Sequence, residues 1–403
     1  MNTRRQFLQR SASVSLSPWI PAILPHSLQA AESKKDDRIL VVVQLDGGND
    51  GLNTVIPYAD ENYAKYRREL GVPKKDVLKL TDGVGLHPAM KPAAELFQDG
   101  RLAIVQGVGY PNPNRSHFRS MAIWQHARLL AREHDRIGWL GRAADTVHST
   151  DARGFPAGGG APDSIYVGED GTPVALRGRR ANAVSILRED DLTLANPIAA
   201  QHFGSDADDL SAYVTRTLTR SFDVARQFQD AETMAKRESL QYPNSKLAGK
   251  LRLAARMIKL NVGTRVYYVS QSGYDTHAYQ SNTHRQLLRE FSEALQVFLN
   301  DLRDSQLEER VVVLAFSEFG RRVQENGSAG TDHGAAGPVF IAGSAVRGGL
   351  VGEHPSLTDL VAGDLKMSID FRQIYATLLD EWLSIPSMNV LDDSFDRLQL
   401  IKS

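Results

Sequence analysis

Acid, imidazole and hydroxyl side chains recur just past apolar runs in this sequence: Asp46 and Asp50, Ser116 with His117, Asp275 with His277, Glu318, and Asp332 with His333. Oxygen and imidazole donors suit hard or borderline cations, so loops that carried these groups to one place would build a site for zinc, manganese, magnesium or calcium. Asp275-Thr-His277 sets two ligand types on alternate residues, which share one side of an extended segment. His333 lies between Asp332 and Gly334, directly ahead of an apolar run. Each signal also has a plainer reading. Asp46-Gly-Gly-Asn-Asp-Gly51 has the composition of a turn, and Ser116 reads equally as a helix N-cap. The two readings of Ser116 are compatible, because backbone N–H groups and the helix dipole attract anions to that place. His87, His117, His126 and His134 read as packing or surface residues, although His117 adjoins Ser116.

These groups must be held by regular elements. Arg38–Leu45 is a continuous β-branched run ending at an acid, the pattern of a strand buried on both faces, and in open α/β sheets ligands bind at such strand ends. Leu102–Gln106 is a second strand, preceded by a helical stretch from Pro88 to Gln98 and followed by a Gly/Pro/Asn loop at 107–114. Ser116 then opens a helix carrying Phe118, Met121, Ile123 and Trp124. Further strands are expected at Arg265–Val269, Arg310–Phe316 and Val339–Ile341, with a long amphipathic helix through Leu287, Phe291, Leu295, Phe298 and Leu302. Alternating buried strands and helices predict a three-layer α/β/α fold. Residues 145–260 lose this rhythm, with strand-like pieces at Ser164–Val167 and Val174–Leu176 and a charged helical stretch over 208–260. They read as an insertion or cap within a domain spanning 36–403.

Composition narrows the chemistry. The 403 residues include no cysteine, which excludes disulfides, thiolate nucleophiles and iron–sulfur clusters. Lys+Arg and Asp+Glu number 47 and 48, so no basic excess exists to bind nucleic acid. After the first thirty residues no run approaches the ~18 apolar residues of a membrane span. The N-terminus itself, Thr3-Arg-Arg-Gln-Phe-Leu8 followed by a modest apolar stretch to Ala30-Ala31, looks like a twin-arginine secretion signal over residues 1–31. Export would engage the twin-arginine translocase. Removal of residues 1–30 takes away Arg4, Arg5 and Arg10 and no acid, leaving a mature chain of net charge −4.

The order of strand-Asp, Ser at a helix start, irregular insertion, Asp/His, helix, strand-acid and His before a strand resembles the alkaline phosphatase superfamily. More narrowly, the leader with Leu45-Asp-Gly-Gly-Asn-Asp-Gly-Leu-Asn53, Asn114-Arg-Ser-His-Phe118, Gly273-Tyr-Asp-Thr-His277, Ser317-Glu-Phe-Gly-Arg321 and Thr331-Asp-His-Gly334 is similar to the secreted bacterial domain-of-unknown-function family 1501, over almost the whole chain. The resemblance implies an alkaline-phosphatase-like core. It assigns Asp46 and Ser116 to one metal, with Ser116 the nucleophile, and Asp275, His277 and His333 to the other. Where the superfamily supplies an adjacent Asp-His pair, this chain has Glu318-Phe319; Glu318 can ligate and Phe319 cannot. The implied activity is hydrolysis of phosphate mono- or diesters by in-line displacement, with Arg119 or Arg115 holding the non-bridging oxygens of an anionic small-molecule or glycan substrate. Two alternatives stand. A sulfatase would normally carry Cys/Ser-x-Pro-x-Arg, where this chain has Ser116-His-Phe-Arg119. A non-catalytic exported binding protein would keep the fold with a degraded metal site.

Overall fold

The computed structural model describes residues 38–130, 136–147, 162–186 and 240–402. The leader and His134 lie outside the described residues. In chain order the core elements are β1 (Ile39–Asp46), α1 (Lys91–Gln98), β2 (Leu102–Gly109), α2 (His117–His126), α3 (Trp139–Val147), β3 (Ser164–Val167), β4 (Ala183–Ile186), α4 (Lys246–Lys259), β5 (Val266–Ser272), α5 (Gln280–Asp304), β6 (Val311–Phe316), β7 (Gly337–Ala342), β8 (Gly349–Val351), β9 (Ile369–Asp370) and α6 (Phe371–Thr377).

β1 has almost no polar side chain, so both its faces must be covered. Val41, Val43 and Leu45 enter one core with residues of α1, α4 and α5, while Leu40 and Val42 enter a second with residues of α2, α3 and α6. The expected three layers follow. The main sheet runs β8-β2-β7-β6-β1-β5-β3-β4, with β9 pairing β2. β5, β1 and β6 are parallel in a register that sets Asp46 opposite Ser272 and Gln44 opposite Phe316. Their carboxyl ends therefore lie along one edge. β7 is antiparallel to both β6 and β2, so it starts at that same edge and delivers the 331–336 loop there.

The segment 145–260 is, where described, part of the core. β3 and β4 extend the sheet in parallel beyond β5, and α4 buries Leu251, Ala254, Met257 and Ile258 against it. Ser164–Val167 is the expected strand, whereas Val174–Leu176 forms a single 3-10 turn and the neighbouring strand is Ala183–Ile186. Of the insertion or cap expected over 145–260, residues 148–161 and 187–239 lie outside the described residues. The helix that begins at Ser116 is fixed by an aromatic stack. Trp124 lies between Phe316, with ring centroids 4.9 Å apart, and Phe371, at 4.4 Å. Such pairs contribute ~0.5–1.5 kcal/mol each beyond buried area, and here they pin α2 to β6 and α6.

Candidate metal centre

Loops leaving β1, β5 and β6 are knitted together where the strands end. The Tyr274 N–H donates to Asp46 O at 3.1 Å, and the Gly47 N–H donates to Glu318 Oε1 at 3.0 Å. Gly47 and Gly48 have φ of +113° and +78°; a Cβ on the first would stand 2.5 Å from Asp275 N and on the second 2.4 Å from the Phe319 ring. The Asp-Gly-Gly motif is thus a close-approach device as well as a turn.

At the centre of the edge, one nitrogen each of His117 and His333 and an oxygen of Asp275 lie within 4.8 Å of one another. Asp275 Oδ1 is 3.2 Å from His333 Nε2, 3.5 Å from His117 Nε2 and 3.0 Å from His277 Nε2. The expected trio of Asp275, His277 and His333 is therefore brought together, and His277 Nε2 is 2.9 Å from His333 Nε2. Asp332 sits behind His277, with Oδ1 3.3 Å from its Nδ1.

His117, expected as a packing or surface residue, stands in this cluster. Its Nδ1 is 2.8 Å from Glu318 Oε1, and a carboxylate at that distance takes the proton of an Nδ1–H. The Nε2 lone pair then faces the cluster, and this atom is buried without a hydrogen-bond partner. His333 is set the same way: Nδ1 is 2.7 Å from Arg115 O, a group that can only accept, so Nε2 carries the lone pair. Two imidazoles with Nδ1 fixed by an oxygen and Nε2 turned to a shared carboxylate form a donor set that suits a divalent cation.

Charge favours the same reading. Burial pushes the Asp275 carboxyl up, but the hydrogen bond and positive charge of Arg321 outweigh it and hold the group down at about 2. Burial lowers His333, which favours its free lone pair, whereas the Glu318 hydrogen bond raises His117, so that a cation there competes with a proton. Arg321, to which the sequence assigned no role, is fully buried beneath the centre. It donates to Gly48 O at 2.7 Å, Thr331 O at 2.8 Å, Tyr274 O at 2.9 Å and Asp275 Oδ1 at 2.8 Å, and also to Gly47 O.

The other expected residues fall elsewhere. Glu318 is buried and turned onto His117 and Gly47, placing it behind a ligand. Phe319 is buried against the imidazoles, with centroids 5.0 Å from His117 and 4.9 Å from His333. Asp46 is outside the cluster. It accepts from Gln44 Nε2 at 2.9 Å, and burial together with the Glu318 charge raises its pKa. Asp50 is wholly buried in an ion pair with Arg67 at 2.5 Å, a structural role. Ser116 is the N-cap of α2, exposed, with no side-chain cap bond, and its N–H donates to Asn114 Oδ1 at 2.8 Å. Arg119 is half-buried in the first turn of α2. Arg115 is held in an ion pair with Asp364.

Fold and centre define a doubly covered α/β sheet protein with a His/Asp cluster at its carboxyl edge. The model of the family described as protein of unknown function (DUF1501) matches residues 37–391, and the chain belongs to that family. No curated protein matches it in sequence. Among solved structures it is similar to PsFucS1 sulfatase from Pseudoalteromonas sp. at 11% identity and TM-score 0.42, covering 92% of this chain and 72% of that one. A protein in the alkaline phosphatase superfamily from Vibrio parahaemolyticus gives 11% identity and TM-score 0.37, covering 89% and 69%. The phosphonate monoester hydrolase of Agrobacterium radiobacter gives 9% and 0.35, covering 86% and 74%. Likenesses this distant leave the functional argument to the site itself.

Proposed function

We propose that this chain is an exported, metal-dependent hydrolase of phosphate esters. One observation carries the reading: His117 Nε2, buried and unpartnered, converges with His333 Nε2 and Asp275 Oδ1 beside the N-terminus of a helix capped by Ser116. His117, Asp275 and His333 would hold the cation, with His277 alongside. A bound divalent ion supplies Lewis acidity and offsets charge on phosphoryl oxygens. Ser116 would act as the nucleophile: its oxygen forms a bond to phosphorus, the ester alcohol leaves and takes a proton, and water then releases phosphate from the serine. The first N–H groups and the dipole of α2 would attract the anionic substrate, and Arg119 in the same turn would bind a non-bridging oxygen. Glu318 orients His117, and Arg321 orients Asp275. No helix among the described residues is long and apolar enough to cross a membrane, and the resemblance of residues 1–31 to a twin-arginine signal supports export.

A second reading, a non-catalytic anion-binding protein, draws on Phe319 and Glu318, since neither projects a free donor into the cluster. Protein purified after export separates the two. Tightly held metal, turnover of 4-nitrophenyl phosphate, and its loss in Ser116→Ala support hydrolysis; unchanged turnover in that variant removes Ser116 as nucleophile, and absence of both metal and turnover favours binding.

A further inference from the structure

A cleft of about 670 Å³ opens beside the Ser116 turn, between the 109–115 loop and the hairpin around 361–367. That volume lies within the ~300–1,000 Å³ of small-molecule sites. The same backbone that walls the cleft also sets the candidate centre. Asn114 accepts the Ser116 N–H, Arg115 O accepts from His333 Nδ1, and Ala335 O accepts the Gly320 N–H at 2.8 Å. Arg115 lies on the cleft wall, so the cleft reaches the residue next to the proposed nucleophile.

The lining decides what such a group would be. Pro111, Pro113, Ala336, Val361, Leu365 and Met367 supply its apolar walls. Several of its polar side chains are engaged already, Arg115 with Asp364, Lys366 with Asp359, and the Tyr110 hydroxyl with Ser120 and the Asn114 N–H, while Asn112 and Asn114 also line it and one oxygen of Asp364 is buried without a hydrogen-bond partner. The walls are mainly apolar, and sugar hydroxyls buried against them without partners are unfavourable. Exposure around the edge agrees. Six large apolar side chains are exposed among the described residues, and three of them, Phe118, Tyr279 and Val361, lie next to His117, near His277 and on the cleft wall. Tyr279 is also held at φ +49°, a conformation that bulky residues rarely adopt.

Resting on the hydrolase reading above, we propose that the cleft receives the alcohol portion of the ester and that this portion is a bulky apolar group of the substituted-phenol type rather than a sugar. Apolar burial then supplies the discrimination, and the metal and helix end supply affinity for the phosphate common to all esters.

The test compares 4-tert-butylphenyl phosphate, phenyl phosphate and glucose 6-phosphate as substrates of the metal-loaded protein. The two phenols are leaving groups of similar reactivity, so a difference between them reports the cleft. A kcat/KM about tenfold or more higher for the butyl compound is expected, since each buried methylene contributes on the order of a factor of three or four. Val361→Trp, at an exposed wall position, should bring that ratio close to one. Equal kcat/KM for all three esters, or a ratio unmoved by Val361→Trp, overturns the proposal. Saturation-transfer NMR with 4-tert-butylphenol alone keeps the two readings separate. Binding lost in Val361→Trp upholds the cleft even if no ester is turned over, in which case the hydrolase reading fails by itself; no binding to the wild-type protein refutes the cleft.

Discussion

Arg321→Lys is the perturbation most revealing of how the centre is held. The guanidinium is fully buried and reaches four carbonyls, of Gly47, Gly48, Tyr274 and Thr331, together with Asp275 Oδ1. These acceptors belong to the loops after β1 and β5 and to the loop before β7. Lysine keeps the charge but places it at one nitrogen, without the planar fork that serves acceptors on different sides. At least two buried carbonyls should lose their donor, at ~1–3 kcal/mol each, so a loss of about 3–4 kcal/mol is expected from the protein's total stability. Urea denaturation of the metal-free protein reads this as a lower midpoint with an unchanged slope. Zinc titration of the folded variant, by calorimetry, should show affinity reduced by at least about tenfold, because Asp275 loses its strongest anchor. A midpoint shift equivalent to less than about 1 kcal/mol, together with wild-type zinc affinity, would refute the view that Arg321 ties the loops into one centre.

Two further outcomes follow from side chains that the cluster itself does not contain. Glu318→Gln keeps the size of the group behind His117 but removes the carboxylate that fixes its Nδ1 proton, so metal affinity should fall about 10–100-fold with little change in overall fold; zinc titration with circular dichroism checks both halves, and unaltered affinity would show that His117 is not a ligand oriented by Glu318. His87 and His284 are pushed down from 6.5 to about 4, chiefly by burial. Below pH 6.5 the unfolded chain takes up protons that the folded chain refuses, so stability should be full above 6.5 and fall as pH drops toward 4, by up to about 3 kcal/mol per histidine. The two rings lie 6.3 Å apart and titrate as a pair, which makes the sum an upper bound. Urea midpoints between pH 7.5 and 4.5 measure the fall; in a His87→Gln, His284→Gln double variant that still folds, the slope over this range should flatten, and an unchanged slope would place the acid sensitivity elsewhere.

Much of the scaffold was legible because burial on two faces writes itself into sequence. Ile39–Leu45 and Val311–Phe316 are strands that tolerate almost no polar side chain, and the spacing of Phe291, Leu295, Phe298 and Leu302 marks the buried face of α5, with Leu287 only partly buried and its neighbour Leu288 in the core. β4 escaped because it is four residues long at the sheet margin and carries an exposed Ser185, while the apolar triplet Val174–Leu176 imitated a strand. The antiparallel sense of β7 has a readable signal. Between Phe316 and Gly337 there is no helical pattern, and a parallel crossover needs one. Asp275, His277 and His333 were found by type and by position after or before strands. Arg321 was not, since arginine is seldom buried and only the three-dimensional crossing of loops gives it five acceptors. His117 was passed over because a histidine at the first turn of a helix carries no mark of what lies across from it.

Glu318, Phe319 and His117 form one packed arrangement at the cluster. Here the Gly47 N–H and His117 draw the Glu318 carboxylate inward, and Phe319 fills the space between Gly48 and the rings of His117 and His333. The His117 imidazole comes from the first residue of α2, and Ser116, with extended backbone at φ −84° and ψ 126°, is the N-cap directly before it. They are fixed relative to one another by backbone rather than by packing between loops. Trp124, stacked between Phe316 and Phe371, anchors that helix to the strand from which Glu318 springs. A shift of α2 would therefore move His117 and Ser116 together, and the spacing between the proposed nucleophile and the proposed ligand would survive small motions that a centre assembled only from loops would not.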